Sequence, residues 1–226
     1  MTARPDSVAF YFDPMCPWAY QASIWIREVR ARTGLAVSWR FFSLEEINRE
    51  PGKKHPWERA WSYGWSQMRV AALLRRQGED LVDRWYEAVG RAFFVDGRHT
   101  YDPDEHRALL GELDLDPALL DEALRDPTTA EEVRADHEHV VGTHGAFGVP
   151  TLVFPDRKAV YGPVIVPAPT GDAAVRLLDV VLGMGEFPTL YELRQPKTGD
   201  DLRAIAAAFD TYLRARAWRT VENPAP

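Results

Sequence analysis

The ten residues Tyr11–Tyr20, YFDPMCPWAY, decide how this chain is read. An apolar run, SVAFYF from Ser7 to Phe12, stops at Asp13-Pro14, and Cys16-Pro17-Trp18 follows almost at once. The run reads as a buried strand, and Pro17, with its fixed φ and missing N–H, suits the first turn of a helix. Cys16 therefore stands at a helix start, where unpaired N–H groups and the helix dipole favour negative charge, so its thiol is expected to ionise readily. The alternative is a small buried hydrophobe. A Cys-x-x-Cys redox motif would place its second sulfur where this chain has Ala19. Cys16 is the only cysteine, which excludes an internal disulfide framework and a cysteine-rich zinc site. Whatever this sulfur does, it does with a partner from outside the chain.

Working outward, the helix expected from about Pro17 to Arg32 ends at Gly34, a residue suited to a left-handed stop. LAVSWRFF, Leu35 to Phe42, then alternates Leu35, Val37, Trp39 and Phe41 to one side, the period of a strand. A strand, a helix and a second strand favour a right-handed crossover with parallel pairing. From there the apolar spacing turns helical, with Leu81, Val82, Trp85, Tyr86, Val89 and Phe93 on one face. Further helices are expected at Pro103–Leu113, Pro117–Arg125 and Thr128–Val141, punctuated by Asp-Pro steps. Strand character returns at TLVF, Thr151 to Phe154, and at AVYG, Ala159 to Gly162, around a PDRK turn, which together suggest a hairpin. A helix near Gly171–Leu182 follows, and a last one from Asp200 lines up Leu202, Ile205, Ala206, Phe209 and Leu213. The terminal ENPAP is expected to fray. The order is that of an α/β, thioredoxin-like fold with a large all-helical insertion. Residues 1–44 and 146–226 would form the thioredoxin-like domain and 45–145 the insertion.

The formal charge of −7 over 226 residues and a pI near 5.4, with basic residues scattered, argue against a nucleic-acid surface. The amino terminus has no apolar signal core, and no later run approaches the roughly 18 apolar residues of a membrane span, so a cytoplasmic protein with no membrane partner is expected.

A second motif is GVPT, Gly148 to Thr151, at the entry to the third strand. Cis peptides occur mainly at X-Pro bonds, and a cis Pro150 would leave the Val149 main chain free to pair with an extended thiol beside Cys16. An ordinary trans proline is the alternative. FDPMCPWAY, GVPT and YGPV together resemble the DsbA-like branch of the thioredoxin superfamily, which includes kappa-class glutathione transferases and 2-hydroxychromene-2-carboxylate isomerases. SLEEINRE, MRVA and FPTLYELR extend the resemblance over most of the chain, and toward the mycothiol-dependent nitroreductase group of actinobacteria in particular.

The resemblance implies a cleft in which a low-molecular-weight thiol, mycothiol or one like glutathione, meets an electrophilic or oxidised substrate. It admits a reduced deazaflavin, involves no metal, and implies a monomer or homodimer. Cys16 would be the nucleophile, with Pro17, Trp18, Asn48, Val149 and Pro150 holding the thiol. The departure is CPWA in place of CPWC: without a neighbouring thiolate the mixed disulfide waits for an external thiol, a monothiol route. A transferase or isomerase pattern, in which Cys16 only orients a bound thiol, is one alternative. A thiol-binding or sensing module without turnover is the other.

Asn48 matches a group residue placed to bond the cofactor thiol, though an asparagine there also suits a helix cap. Trp57, Trp61 and Trp65 lie four apart, with Met68 and Ala72 following, as one helical stripe. It suits either core packing or, with Trp18, an aromatic wall against a flat substrate. His137 and His139, two apart on a helix, diverge and no cysteine joins them, so with His144 they are expected to be solvated or capping rather than metal ligands.

Overall fold

The computed structural model describes residues 4–215; the ENPAP tail lies outside them. Strand β1 (Ser7–Phe12) leads into helix α1 (Pro17–Thr33), which ends on Gly34 at φ 76°, and β2 (Ala36–Phe41) returns parallel to β1. Helices α2 (Leu44–Ile47), α3 (Tyr63–Arg75), α4 (Glu79–Phe94), α5 (Pro103–Glu112), α6 (Leu119–Arg125) and α7 (Pro127–His144) come next. Strands β3 (Thr151–Val153) and β4 (Val160–Tyr161) form the hairpin, with Thr151 opposite Tyr161. Helices α8 (Gly171–Gly185), α9 (Gly199–Ala208) and α10 (Asp210–Ala215) complete the described chain. The sheet order is β2-β1-β3-β4, and β3 runs antiparallel to β1.

The Asp-Pro steps do the punctuation their chemistry allows. Asp102 and Asp126 accept the N–H of Asp104 and Thr128 at the starts of α5 and α7, each with Pro at the first helical position. The tryptophan stripe, by contrast, is not one helix. Trp57 sits in a single 3-10 turn, Pro56–Glu58, Arg59 is extended, and α3 starts only at Tyr63. The Arg59 guanidinium donates to the Lys54 carbonyl, to Ser62 Oγ and to Glu45, and these bonds hold the extended link in place of a helical turn. Only Trp65, Met68 and Ala72 share a helix, and all three are buried.

One core joins sheet and helices: Phe10, Phe12, Trp39 and Phe41 of the strands pack with Trp25 and Ile26 of α1, Trp65 of α3 and Tyr86 of α4. Phe12 stacks on Tyr86 with centroids 3.9 Å apart, which seats α4 on the sheet next to the loop that carries Cys16. A second, smaller cluster gathers Met15, Tyr20, Phe93, Phe94, Phe209 and Tyr212, and ties the last two helices to α1 and α4.

The close approach of α1 and α4 depends on Gly90. A Cβ there would lie 2.3 Å from Tyr20 Cδ2, and the Tyr20 ring has no room to yield because it is buried and stacked on Phe94 at 5.0 Å. Gly90→Ala is therefore expected to destabilise the protein by about 2 kcal/mol or more, since overpacking outweighs the better helix propensity of alanine. Gly142→Ala, on exposed α7 with nothing within 4 Å, should instead stabilise by roughly 0.5–1 kcal/mol. Thermal unfolding of both variants checks this, and equal shifts in the two would refute the packing argument.

Candidate active site

Asp13 organises the turn between β1 and α1. Its carboxylate accepts the Met15 N–H at 2.8 Å and the Leu44 N–H at 2.8 Å, so it joins the turn before Cys16 to the start of α2. The side chain is fully buried, and burial pushes its carboxyl up to about 7, against the opposing pull of the two N–H donors. Gly64 presses on it so closely that a Cβ would come within 2.6 Å of Asp13 Oδ1. Glu45, the neighbouring carboxylate, accepts Ser62 Oγ at 2.6 Å and the Gly64 N–H at 3.0 Å and pairs with Arg59 at 3.3 Å.

Cys16 is the N-cap of α1. Its sulfur accepts the Ala19 N–H at 3.5 Å, and its S–H donates to the Val149 carbonyl at 3.5 Å. The Val149–Pro150 peptide bond is cis. The thiol is 6% exposed, and burial pushes it up to about 12; the Ala19 N–H works against this and the negative charge on Asp13 works with it. This corrects the sequence expectation. A helix start favours a thiolate only where solvent or a cation shares in stabilising it, and here desolvation outweighs the N–H groups. In the free protein the sulfur is a thiol and a hydrogen-bond donor.

Beyond the sulfur lies a cavity of about 610 Å³. Asp13, Met15, Cys16, Pro17, Trp18, Leu44, Glu45 and Tyr63 line its floor and sides; Leu202, Ile205, Ala206, Phe209, Tyr212 and Leu213 of α9 and α10 roof it. Phe209 meets Trp18 edge-on at 4.9 Å. Thus Cys16, Pro17 and Trp18 share the cavity, with Val149 and Pro150 behind the sulfur.

The other expected site residues lie elsewhere. Asn48 is exposed at the end of α2, where its side-chain amide donates to the Leu44 carbonyl at 2.8 Å, the capping geometry. Trp57 stacks on His55 at 4.3 Å and lies under the Arg134 guanidinium. Trp61 donates its indole N–H to the Tyr101 carbonyl at 2.9 Å and tilts against His106. Neither tryptophan is among the residues lining the cavity. His137 is buried on Phe42 and accepts the Ser43 N–H, while His139 and His144 pack on each other at the end of α7. Among the described residues no three His, Cys, Asp or Glu side chains are grouped to hold a metal ion.

Asp13 and Glu45 are cavity residues that the sequence reading did not single out. The signal for Asp13 was its place at the end of a buried strand, three residues before the helix cap at Cys16. The roof was in view as an amphipathic stripe, Leu202 to Leu213, without a surface to which it could be assigned.

Comparison with known proteins agrees with this architecture. The family profile described as Rv2466c-like, mycothiol-dependent nitroreductase Rv2466c, matches residues 15–195. The protein Rv2286c of Mycobacterium tuberculosis is 52% identical over 217 residues, covering 96% of this chain and 94% of that protein. A 2-hydroxychromene-2-carboxylate isomerase of Sphingobium xenophagum is 24% identical over 182 residues, 69% of this chain and 92% of its own. Among solved structures, a probable DsbA oxidoreductase, SCO1869 of Streptomyces coelicolor, superposes with a TM-score of 0.58 at 21% identity, covering 85% of this chain and 92% of that one. This likeness establishes the DsbA-like thioredoxin fold.

Proposed function

The chain belongs to the Rv2466c-like family, and on that premise we propose that it is a monothiol oxidoreductase in which Cys16 forms a mixed disulfide with a small thiol such as mycothiol. The observation that carries this reading is the placement of the only cysteine, at the N-cap of α1, between the Val149 carbonyl and an apolar cavity. In the cycle, Cys16–SH reacts with an oxidised substrate R–S–S–R to give Cys16–S–S–R and RSH. A second thiol R′–SH then attacks the mixed disulfide, releasing R–S–S–R′ and restoring Cys16–SH. A second R′–SH then reduces R–S–S–R′ to RSH and R′–S–S–R′, so two electrons pass from two external thiols to the substrate and no second protein sulfur is used, which suits Ala19.

The thiol pKa gives the direction. A low-pKa cysteine makes a strong oxidant because its reduced form is stabilised as thiolate. Cys16, pushed up to about 12, lacks that stabilisation, so the reduced form is not the favoured one and the redox balance lies toward reduction of substrate. Val149 would align the thiol by main-chain pairing, as the Cys16 contact with its carbonyl suggests. A cytoplasmic setting supplies reduced thiol, and none of the described helices is long and apolar enough to cross a membrane. Residues 45–145 act in this reading as the helical insertion that closes one side of the cleft through Glu45 and Tyr63.

A second reading, transferase or isomerase chemistry, has one observation of its own. The Cys16 S–H is a donor in the free protein and could hold a bound thiolate in place of the Val149 carbonyl. The first test is the intact mass of untreated protein from a mycothiol-producing host beside Cys16→Ser. A reducible adduct of the thiol's mass on wild type alone is the expected result; a wild-type protein that stays unmodified and also resists added disulfide would overturn the mixed-disulfide route.

A further inference from the structure

The family match ends at residue 195, and α9 and α10 begin just beyond it. From Tyr191 to Thr198 every residue is exposed, so the two helices hang on an extended strap. None of the α9 residues is buried, and the anchors of the unit are Phe209 and Tyr212 in the aromatic cluster with Met15, Phe93 and Phe94. What α9, α10 and Phe209 between them turn toward the cavity is apolar but for the Tyr212 hydroxyl: Leu202, Ile205, Ala206, Phe209 and Leu213, beside the Tyr212 ring.

The rest of the lining adds no cation. Asp13 and Glu45 are carboxylates, and among the described residues none of those lining the cavity is Lys, Arg or His. Glu45 already has Arg59, 10% exposed, as its cation, so that guanidinium is engaged in a pair. An anion entering the cavity would leave water for an apolar roof and meet no cation on the floor. Burying an ion without a partner costs several kcal/mol. An uncharged apolar molecule meets no such penalty and gains from the area it buries.

We infer that the C-terminal helices α9 and α10, with Phe209 between them, determine specificity, making the cavity over Cys16 a site for uncharged, apolar electrophiles and closing it to anionic ones. The inference rests on the oxidoreductase reading for the chemistry at the sulfur, though not for the selectivity of binding. The chosen probes share one skeleton and differ in charge: dithiobis(nitrobenzoate), a dianion, and its uncharged dimethyl ester. With either, the Cys16 S–H bond and the reagent S–S bond break, a Cys16–S–S–aryl bond forms, and the aryl thiolate leaves with the proton passing to solvent.

After division by the rates for mercaptoethanol in solution, the ester should label the full-length protein at least about 100-fold faster than the dianion, two factors of ten at roughly 1.4 kcal/mol each. Ala206→Arg, at an exposed helix position facing the cavity, should narrow that ratio at least about tenfold by giving the anion a partner. Binding of methyl nitrobenzoate against nitrobenzoate to Cys16→Ser, followed by tryptophan fluorescence, reads the same selectivity with no covalent step. A ratio equal to that of the free thiol, unmoved by Ala206→Arg, overturns the inference and leaves the oxidoreductase reading intact. No labelling by either reagent, with the uncharged ligand still preferred by Cys16→Ser, upholds the inference and removes the oxidoreductase reading. No preference in that binding assay overturns the inference whatever the labelling shows.

Discussion

Cys16→Ser is expected to lower turnover of a disulfide or nitro substrate by about 1,000-fold or more with a small thiol as reductant, because a hydroxyl forms no mixed disulfide. The magnitude follows from removing the atom that becomes covalently bonded, a larger loss than removing a group that only orients. If instead the S–H of Cys16 acts as a donor to a bound thiolate, as its bond to the Val149 carbonyl allows, serine keeps an O–H in the same place and activity should fall by no more than about tenfold. Cys16→Ala separates the two roles further, since it removes donor and nucleophile alike. Serine and alanine variants that are equally inactive mark the sulfur as the reacting atom. A serine variant close to wild type with an inactive alanine variant would assign Cys16 to positioning and move the protein to the transferase or isomerase reading.

The second large effect is on stability and concerns Asp13. Its carboxyl is at about 7 in the folded protein against 3.8 as the reference value, so the folded state holds the proton more tightly than the unfolded state. A carboxyl raised in this way contributes stability that is full below about 3.8 and is lost as the pH rises through about 7. The difference of roughly three units corresponds to about 4 kcal/mol that wild type gives up between those limits. Asp13→Asn never ionises and escapes that loss, although it keeps only one oxygen for the Met15 and Leu44 N–H groups and forfeits about 1–2 kcal/mol at every pH. Its stability relative to wild type should therefore climb from pH 4 to pH 7.5.

The comparison has to be between the two proteins, because His106 works in the opposite sense. It is fully buried and held down to about 4, so its contribution is present above 6.5 and is lost as the pH falls toward 4. His106 is common to both proteins and cancels in the difference. Urea unfolding at several pH values measures that difference, and parallel curves for wild type and Asp13→Asn would show that Asp13 is not a protonated group in the native state. The result reaches the site as well, since the Asp13 charge is one of the causes that hold the Cys16 thiol up.

How far the sequence carried can be followed residue by residue. The alternation in LAVSWRFF, the Gly34 stop and the Asp-Pro steps each encode a local geometry, and the strands, helices and caps they imply are found close to where they were read. The stripe of Trp57, Trp61 and Trp65 was misleading because residues four apart share a face only if the backbone between them is helical. Side-chain bonds from Arg59 to residues on both sides hold that backbone extended. A spacing rule does not register a bond of that kind.

By itself, the sequence determined that a lone sulfur would cap the first helix of a strand-helix-strand unit, because Cys16-Pro17 after an apolar run leaves the chain little else to do there. It determined too that the chain after Asp200 would carry an apolar face, since that is a matter of period, although it read one helix where the structure breaks it at Phe209 into two. The protonation of the sulfur was decided only in the tertiary structure, by the packing of Val149, Asp13 and the surrounding core, which removed water from the thiol faster than the helix start could replace it. The apolar stripe of α9 and α10 likewise acquired a role only when the fold set it over Cys16. Ionisation and access depend on what lies within a few ångströms in space, and residues some 190 positions apart in the chain become neighbours only after folding.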